Sequence, residues 1–322
     1  MVSEPIRIGV IGLGEHGKNH ARQYLQIPGV QLTGVFDIDT GLSQEVAREL
    51  TVPCFASYQE ALSRVDAVSV VVPTLDHASV TLEALKVGKD VLVEKPISRT
   101  LAEADEMIKV GEQENCILQV GHLERFNPAV RAAESVVSEP KFFEIHRLGI
   151  FSPRSLDVDV VFDLMIHDLE ILLSLVAEPV TEIRAVGLPI LSDRVDIASV
   201  RLGFKSGVVA NLTASRVSTE KIRKFRFFQA SGYVSIDFTR QDVILLEVER
   251  SGLRPEIGLK KVQTERLDPL RGQLEDFVQC VRTRRPPKVG GKEGRAALEL
   301  AQKVMKEIEN HAHSAGVRIH PS

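Results

Sequence analysis

Three groups of residues in this chain have types and spacings that could do chemistry. In the first, an apolar run at residues 6–11 (IRIGVI) breaks into Gly12, Gly14 and Gly17, and Asp37 follows twenty residues beyond Gly17. Glycines at this spacing allow a tight turn, a bare backbone approach to a pyrophosphate and close helix packing. An acid at that distance can accept hydrogen bonds from ribose hydroxyls. The cradle candidates are therefore Gly12, Leu13, Gly14, Glu15, His16, Gly17 and Asp37. The second group is Glu94-Lys95-Pro96, directly after another apolar run, and the third is Asp163 with His167 in VFDLMIHDLEILLSLV (161–176). Removing hydride from a secondary alcohol needs a base for the hydroxyl proton and a cation near the developing alkoxide. An imidazole and a lysine could supply both. His167 suits the base because it titrates near neutrality, but a neutral Lys95 with His167 orienting is equally physical.

Strands and helices must deliver these groups to one place. Ile6–Ile11 reads as a strand, Glu15–Gln26 as a helix and Gln31–Phe36 as a second strand. The β-branched run Ala67–Val72 has the texture of a strand buried on both faces and ends at Pro73-Thr74. A helix then runs through Leu85 to a stop at Gly88. Asp90–Val93 delivers Glu94 and Lys95, and Cys116–Val120 ends at Gly121-His122. Ser57/Glu60 and Thr100/Glu103 have the spacing of capping boxes. Repeated βα units make a doubly wound parallel sheet, whose ligands bind beyond the carboxyl ends of the strands. Pro73, Thr74, His77, Glu94, Lys95 and His122 thereby join the cofactor-binding candidates. Asp37 and Asp39, with no arginine between them, favour NAD; NADP stays open if Asp37 is turned away from the ribose.

The chain divides into a dinucleotide-binding domain (1–121) and an α+β domain (122–322), and its texture changes after residue 128. Asn127-Pro128 has the form of an N-cap and first helical residue. Alternating segments then follow at 141–148, 181–189, 196–204, 208–215, 224–230 and 233–238, which predict a large, open, mostly antiparallel sheet. One face of it needs a cover of helices, and the other could pair subunits as a homodimer or homotetramer. In the apolar helix 161–176, Asp163, His167, Glu170 and Ser174 fall within about 60 degrees of one another at 100 degrees per residue. Such a stripe is either the wet edge of a surface helix or a carboxylate orienting an imidazole. Asp168 points elsewhere and reads as structural. Arg125 and Asn127, just past His122, are substrate-binding candidates beside Lys95, Asp163 and His167. Arg216 and Lys224 could reach a phosphate but read equally well as solvated charges.

With 43% hydrophobic and 26% charged residues and a formal charge of −4, the chain has no basic bias toward nucleic acid or an anionic membrane. It has no run long enough for a membrane span and no signal-peptide layout at its start, which predicts a cytoplasmic protein. Three separated cysteines, Cys54, Cys116 and Cys280, have neither disulfide nor zinc spacing. His311, His313 and His320 read as solvated residues of a polar tail, so no metal is expected.

Taken together, these residues resemble the glucose-fructose oxidoreductase, inositol dehydrogenase and rhizopine catabolism (Gfo/Idh/MocA) family of NAD(P)-dependent sugar oxidoreductases. The resemblance runs nearly end to end. It rests on Gly12, Gly14, Gly17 and His20, on Val72-Pro73-Thr74 with His77, on Glu94-Lys95-Pro96, on Asp163 with His167, and on the stretch 274–301. It implies that Lys95 and His167 flank the sugar carbon facing the nicotinamide. The family often has a glycine run before that aspartate, and Asp159-Val160-Val161-Phe162 here implies a differently shaped pocket. The segments VVFDLMIHDLE, GHLERFNPA and VANLTASR are most similar to bacterial dehydrogenases acting on the 3-hydroxyl of UDP-N-acetylglucosamine, whose keto product is aminated on the way to lipid A. Other sugar or inositol substrates, an NAD-retaining glycoside hydrolase and a catalytically silent NAD-binding regulator are the alternatives.

Overall fold

Five short strands, β1 (Ile6–Ile11), β2 (Val30–Phe36), β3 (Ala67–Val70), β4 (Asp90–Glu94) and β5 (Leu118–Gly121), pair in parallel in the order β2-β1-β3-β4-β5. The computed structural model describes residues 4–151, 156, 158–230, 232–249 and 256–319; His320 lies outside them. Helices α1 (Glu15–Tyr24), α2 (Thr40–Leu50), α3 (Tyr58–Arg64), α4 (Thr74–Lys86) and α5 (Leu101–Gln113) connect the strands. Strands β3 and β4 are buried throughout, as their uninterrupted apolar texture predicts. Thr100 and Glu103 form the full reciprocal cap of α5. At α3, Ser57 accepts from Glu60 N–H, while the Glu60 carboxylate takes the Ala56 N–H rather than that of Ser57.

The second unit begins with a 3-10 turn, Leu123–Phe126, and α6 (Pro128–Glu134). There follow β6 (Pro140–Ile150), a π-helical turn (Val161–Met165), α7 (Ile166–Leu175), β7 (Val180–Leu188), β8 (Ile197–Phe204), β9 (Val209–Ser218), β10 (Ile222–Gln229), β11 (Gly232–Asp237), β12 (Asp242–Glu249) and β13 (Glu256–Val262), then α8 (Pro269–Thr283) and α9 (Gly291–Ala315). Eight strands form one sheet in the order β13-β12-β11-β10-β6-β9-β8-β7. It is antiparallel except where β6 runs parallel to β9. The alternation reading found six of these strands and missed β12 and β13. One face carries Phe143, Ile145, Leu212, Phe225 and Phe227, covered by α6, α7 and α9 through Val130, Leu169, Leu172, Ala301 and Val304. His311 and His313, read as part of a tail, lie within the last turns of α9.

The first crossing between the units falls at Leu123/Glu124, and the second unit is not one continuous stretch. Residues Asp268–Arg295 return to the first unit. The apolar face of α8, with Leu274, Phe277, Val278 and Cys280, shares a core with Ile8, Val10, Tyr24 and Leu92. Gln119 Nε2 donates to the Gln273 carbonyl at 3.0 Å, and Val120 N–H donates to the Val289 carbonyl at 2.9 Å.

Phe225 and Lys224 test the two faces of the large sheet. Phe225 is fully buried with its ring centroid 5.7 Å from that of Phe143, whereas Lys224 projects to the opposite face. Phe225→Ala should cost about 3–5 kcal/mol, and Lys224→Ala should stay within about 0.5 kcal/mol. Denaturant unfolding of the two variants checks the pair.

Candidate functional site

The glycine turn is shaped by three different constraints. Gly12 has φ +90°, and a Cβ on it would stand 2.5 Å from the Val71 carbonyl oxygen. Gly17 packs its Cα on the turn itself, since a Cβ there would lie 1.9 Å from the Gly12 carbonyl oxygen. Gly14, the N-cap of α1, has no heavy atom within 4 Å of a Cβ position. That leaves an open approach to the helix N-terminus, where backbone N–H groups and the helix dipole favour a phosphate. Leu13 is buried, while Glu15 and His16 are exposed on the first turn of α1. Asp37 points back at this turn: its Oδ2 accepts the Leu13 N–H at 2.6 Å and its Oδ1 the Asp39 N–H at 3.0 Å. Asp39, the other acid, is the N-cap of α2. The open cradle and the aimed carboxylate are what a dinucleotide's pyrophosphate and ribose require.

The other strand ends of the first unit are tied together by histidines. Pro73 and Thr74 open α4, whose His77 ring spans two main-chain carbonyls, Pro96 O at 2.8 Å from Nδ1 and Val72 O at 2.9 Å from Nε2. Glu94 is buried, with Oε1 3.2 Å from Nε2 of the fully buried His20 and Oε2 accepting the Lys95 N–H at 3.2 Å. Lys95 follows on a half-buried turn. His122 is completely buried at the end of β5, where burial and then the positive charge of Lys95 push its pKa down to about 3.

In the second unit the structure revises the reading of the 161–176 helix. Its first turn is π-helical over Val161–Met165, so Asp163 and His167 are not related by a uniform 100 degrees per residue. Asp163 is half-buried, His167 is 8% exposed and Glu170 is 3% exposed, while Ser174 lies at the surface. Asp168 is structural, as expected: Arg147 donates to both its oxygens at 2.8 Å and to Glu124 at 2.9 Å. This buried cation, which no sequence motif marked, fastens the turn bearing His167 to β6 and sits 4.8 Å above the Phe238 ring. Its cross-strand neighbour Arg223, half-buried and 3.7 Å from Glu124, also escaped the sequence reading.

The four other substrate candidates all lie in the second unit. Asn127 is 1% exposed, caps Ala129 N–H and donates to Glu124 and to the Phe238 carbonyl, so its polar atoms are committed inside the fold. Arg125 lies 3.1 Å from Glu134 and 3.9 Å from Glu170. Arg216 is buried against Asp196 and donates to the Val158 carbonyl. Lys224 sits on the sheet face opposite Arg223. No metal-binding group of His, Cys, Asp and Glu occurs among the described residues, and none of their helices is long and apolar enough to cross a membrane.

Acid should unfold the protein through two of these buried groups. His122 in the unfolded chain binds a proton as pH falls through about 6.5, but the folded site resists until about 3, so stability is lost progressively between those values. Burial would raise the Glu94 carboxyl, but His20 3.2 Å away, with His16 and Lys95 beyond it, holds it at about 2. The stability that Glu94 contributes is thus present above its unfolded value near 4.5 and lost as pH falls toward 2. Unfolding free energy followed against pH should decline from about pH 6.5, and His122→Gln should flatten the decline between 6.5 and 4.5.

Residues 6–122 match the family model described as "Oxidoreductase family, NAD-binding Rossmann fold", and residues 130–235 match the GFO/IDH/MocA C-terminal domain. The chain is 38% identical over 311 residues to a UDP-N-acetylglucosamine 3-dehydrogenase of Acidithiobacillus ferrooxidans, covering 94% of this chain and 97% of that one. A crystal structure of that enzyme superposes with a TM-score of 0.89 over 96% of this chain and 99% of the other, at 36% identity. A myo-inositol 2-dehydrogenase of Thermotoga maritima is 29% identical, covering 94% of this chain and 96% of its own length. Levoglucosan dehydrogenase in complex with NADH and levoglucosan shares the fold, with a TM-score of 0.85 at 18% identity over 95% of this chain and 98% of that one. The chain belongs to the Gfo/Idh/MocA family of NAD-binding oxidoreductases.

Proposed function

We propose that this oxidoreductase removes hydride from C3 of UDP-N-acetylglucosamine, leaving a 3-keto sugar nucleotide for a later amination in the cytoplasm. The observation that carries this reading is the 38% identity, nearly end to end, with an enzyme of that name. Both Lys95 and His167 are present, which speaks against a silent regulator. Asp37 directs its carboxylate at the glycine turn and so favours the free ribose hydroxyls of NAD over the phosphate of NADP. Bound NAD would supply the hydride acceptor. In this reading His167 takes the hydroxyl proton, because an imidazole exchanges protons near neutral pH. The Lys95 ammonium hydrogen-bonds the same oxygen and stabilises the negative charge that develops on it. Asp163 orients the imidazole, and the Arg147–Asp168 pair holds the helical turn that carries it. Inositol oxidation is the second reading, favoured by the Thermotoga relative.

We also propose that the chain works as a homo-oligomer through the open face of its large sheet. A continuous apolar row crosses five strands there, Phe142, Phe228, Tyr233, Leu246 and Leu259 standing opposite one another in register. Leu259 is 72% exposed and Phe228 38% exposed. Sedimentation should show a dimer or tetramer that Phe228→Glu with Leu259→Glu dissociates; a wild-type monomer at working concentration contradicts this.

Turnover tests the assignment of roles. UDP-N-acetylglucosamine should reduce added NAD, with an aminotransferase drawing off the ketone. Lys95→Ala and His167→Ala should each lower kcat by about 10²- to 10⁴-fold. Reduction of NAD by a free polyol alone would keep the family chemistry and replace the substrate. Glycoside cleavage without net NADH would replace the reaction.

A further inference from the structure

Glu94 ends β4 directly before Lys95, and its carboxylate is consumed inside the protein. One oxygen faces His20 of α1 at 3.2 Å, and the other accepts the Lys95 N–H. The missing side chain of Gly121 makes the room: a Cβ on Gly121 would stand 2.5 Å from Oε1 and 2.9 Å from Oε2 of Glu94. The group is therefore enclosed by α1, by the end of β5 and by the Lys95 turn. From α4, His77 grips the same turn one residue further on, at the Pro96 carbonyl. An acid placed for the ribose or the nicotinamide would present an oxygen outward, whereas the Glu94 side chain is 11% exposed, with Oε1 3.2 Å from the His20 ring and Oε2 on the Lys95 N–H.

We propose that Glu94, pinned by His20, is a positioning residue that fixes the turn presenting Lys95 and couples it to the helix whose N-terminus receives the dinucleotide. This rests on the reading of Lys95 given above. A carboxylate accepts a backbone N–H more strongly than a neutral carboxyl does. A buried carboxylate stays ionised only while a partner offsets its lost hydration. His20, whose Nε2 stands 3.2 Å from Oε1, is that partner. The charged and titratable groups that act on this cluster are His16, His20 and Tyr24 of α1, Lys95 of the turn, His122 directly after β5 and His77 of α4. Without the His20 imidazole beside it, burial dominates; Glu94 then takes up a proton at a pH where the protein is still folded, and the Lys95 turn loosens.

Two variants of the full-length protein, His20→Leu and His20→Gln, separate this role from a merely structural one. Glutamine keeps an N–H at the position of Nε2, and leucine removes it. Carboxyl NMR of glutamate-labelled wild type should show Glu94 ionised at every pH down to 4. In His20→Leu the same carboxyl should titrate at least one unit above 4.5. Below that midpoint kcat for sugar-dependent NAD reduction should fall at least tenfold and recover above it, while the NADH dissociation constant changes less than twofold. His20→Gln should restore kcat to within about threefold, and if His20→Leu does not fold, a Glu94 carboxyl still ionised at pH 5 in His20→Gln supports the pairing. A Glu94 carboxyl that titrates identically in wild type and variants overturns the proposal. A loss of NADH affinity in step with kcat overturns it too, by making Glu94 a cofactor contact. If wild type reduces no NAD with any sugar, the reading of Lys95 fails and the positioning role with it; the titration then still separates a true His20–Glu94 pairing from a false one.

Discussion

Gly17 rests its Cα against the carbonyl oxygen of Gly12, where even a methyl group would overlap at 1.9 Å. That contact lets α1 start directly over the end of β1 and aims its first N–H groups into open space above Gly14. With five strands all parallel, every carboxyl end falls on one edge of the sheet, so the same edge receives Asp37, Pro73-Thr74, Glu94-Lys95 and His122. The strand order changes direction between β1 and β3, which is where a crevice opens in a doubly wound sheet. The helix approach and the strand direction together decide which side chains can meet a cofactor.

The two units hold their functional turns by buried charge in different ways. Around Lys95, one carboxylate and three buried histidines, His20, His77 and His122, pack at the strand ends. Around His167, the Arg147 guanidinium is shared between Asp168 and Glu124, with Phe238 beneath it. Pairs of this kind add little net stability over an apolar core, but losing one partner leaves an uncompensated buried charge, so they penalise any other arrangement of the turn. A catalytic group on such a turn is held in one geometry before substrate arrives.

Much of this was legible in the sequence because it depends on near neighbours. The run from Ile6 to Asp37 carries strand, turn, helix and acid at fixed spacings, and Thr100 with Glu103 caps a helix through contacts three residues apart. What was missed depends on distant partners. The stretch 274–301 carried a resemblance but no reading of the core it covers, and within it α8 returns to pack beside Tyr24. The π turn at Val161–Met165 has no side-chain period of its own, so helical spacing misjudged how Asp163 and His167 are related. Arg147 shares the inward face of its strand with Phe143 and Ile145, a place for a charge that makes sense only once Asp168 and Glu124 are brought to it. β13, with Lys260 and Lys261 beside Leu259, has the mixed texture of an edge strand, and charge there conceals the strand signal.

The central claim is that hydride leaves C3 of a sugar nucleotide for NAD. It is tested most directly with UDP-N-acetylglucosamine carrying deuterium only at C3, followed by mass analysis of the reduced cofactor. The account predicts NADH heavier by one deuterium, with a deuterium-free 3-keto sugar as the other product. Unlabelled NADH, formed while deuterium stays on the sugar, would place the oxidation at another carbon and contradict it.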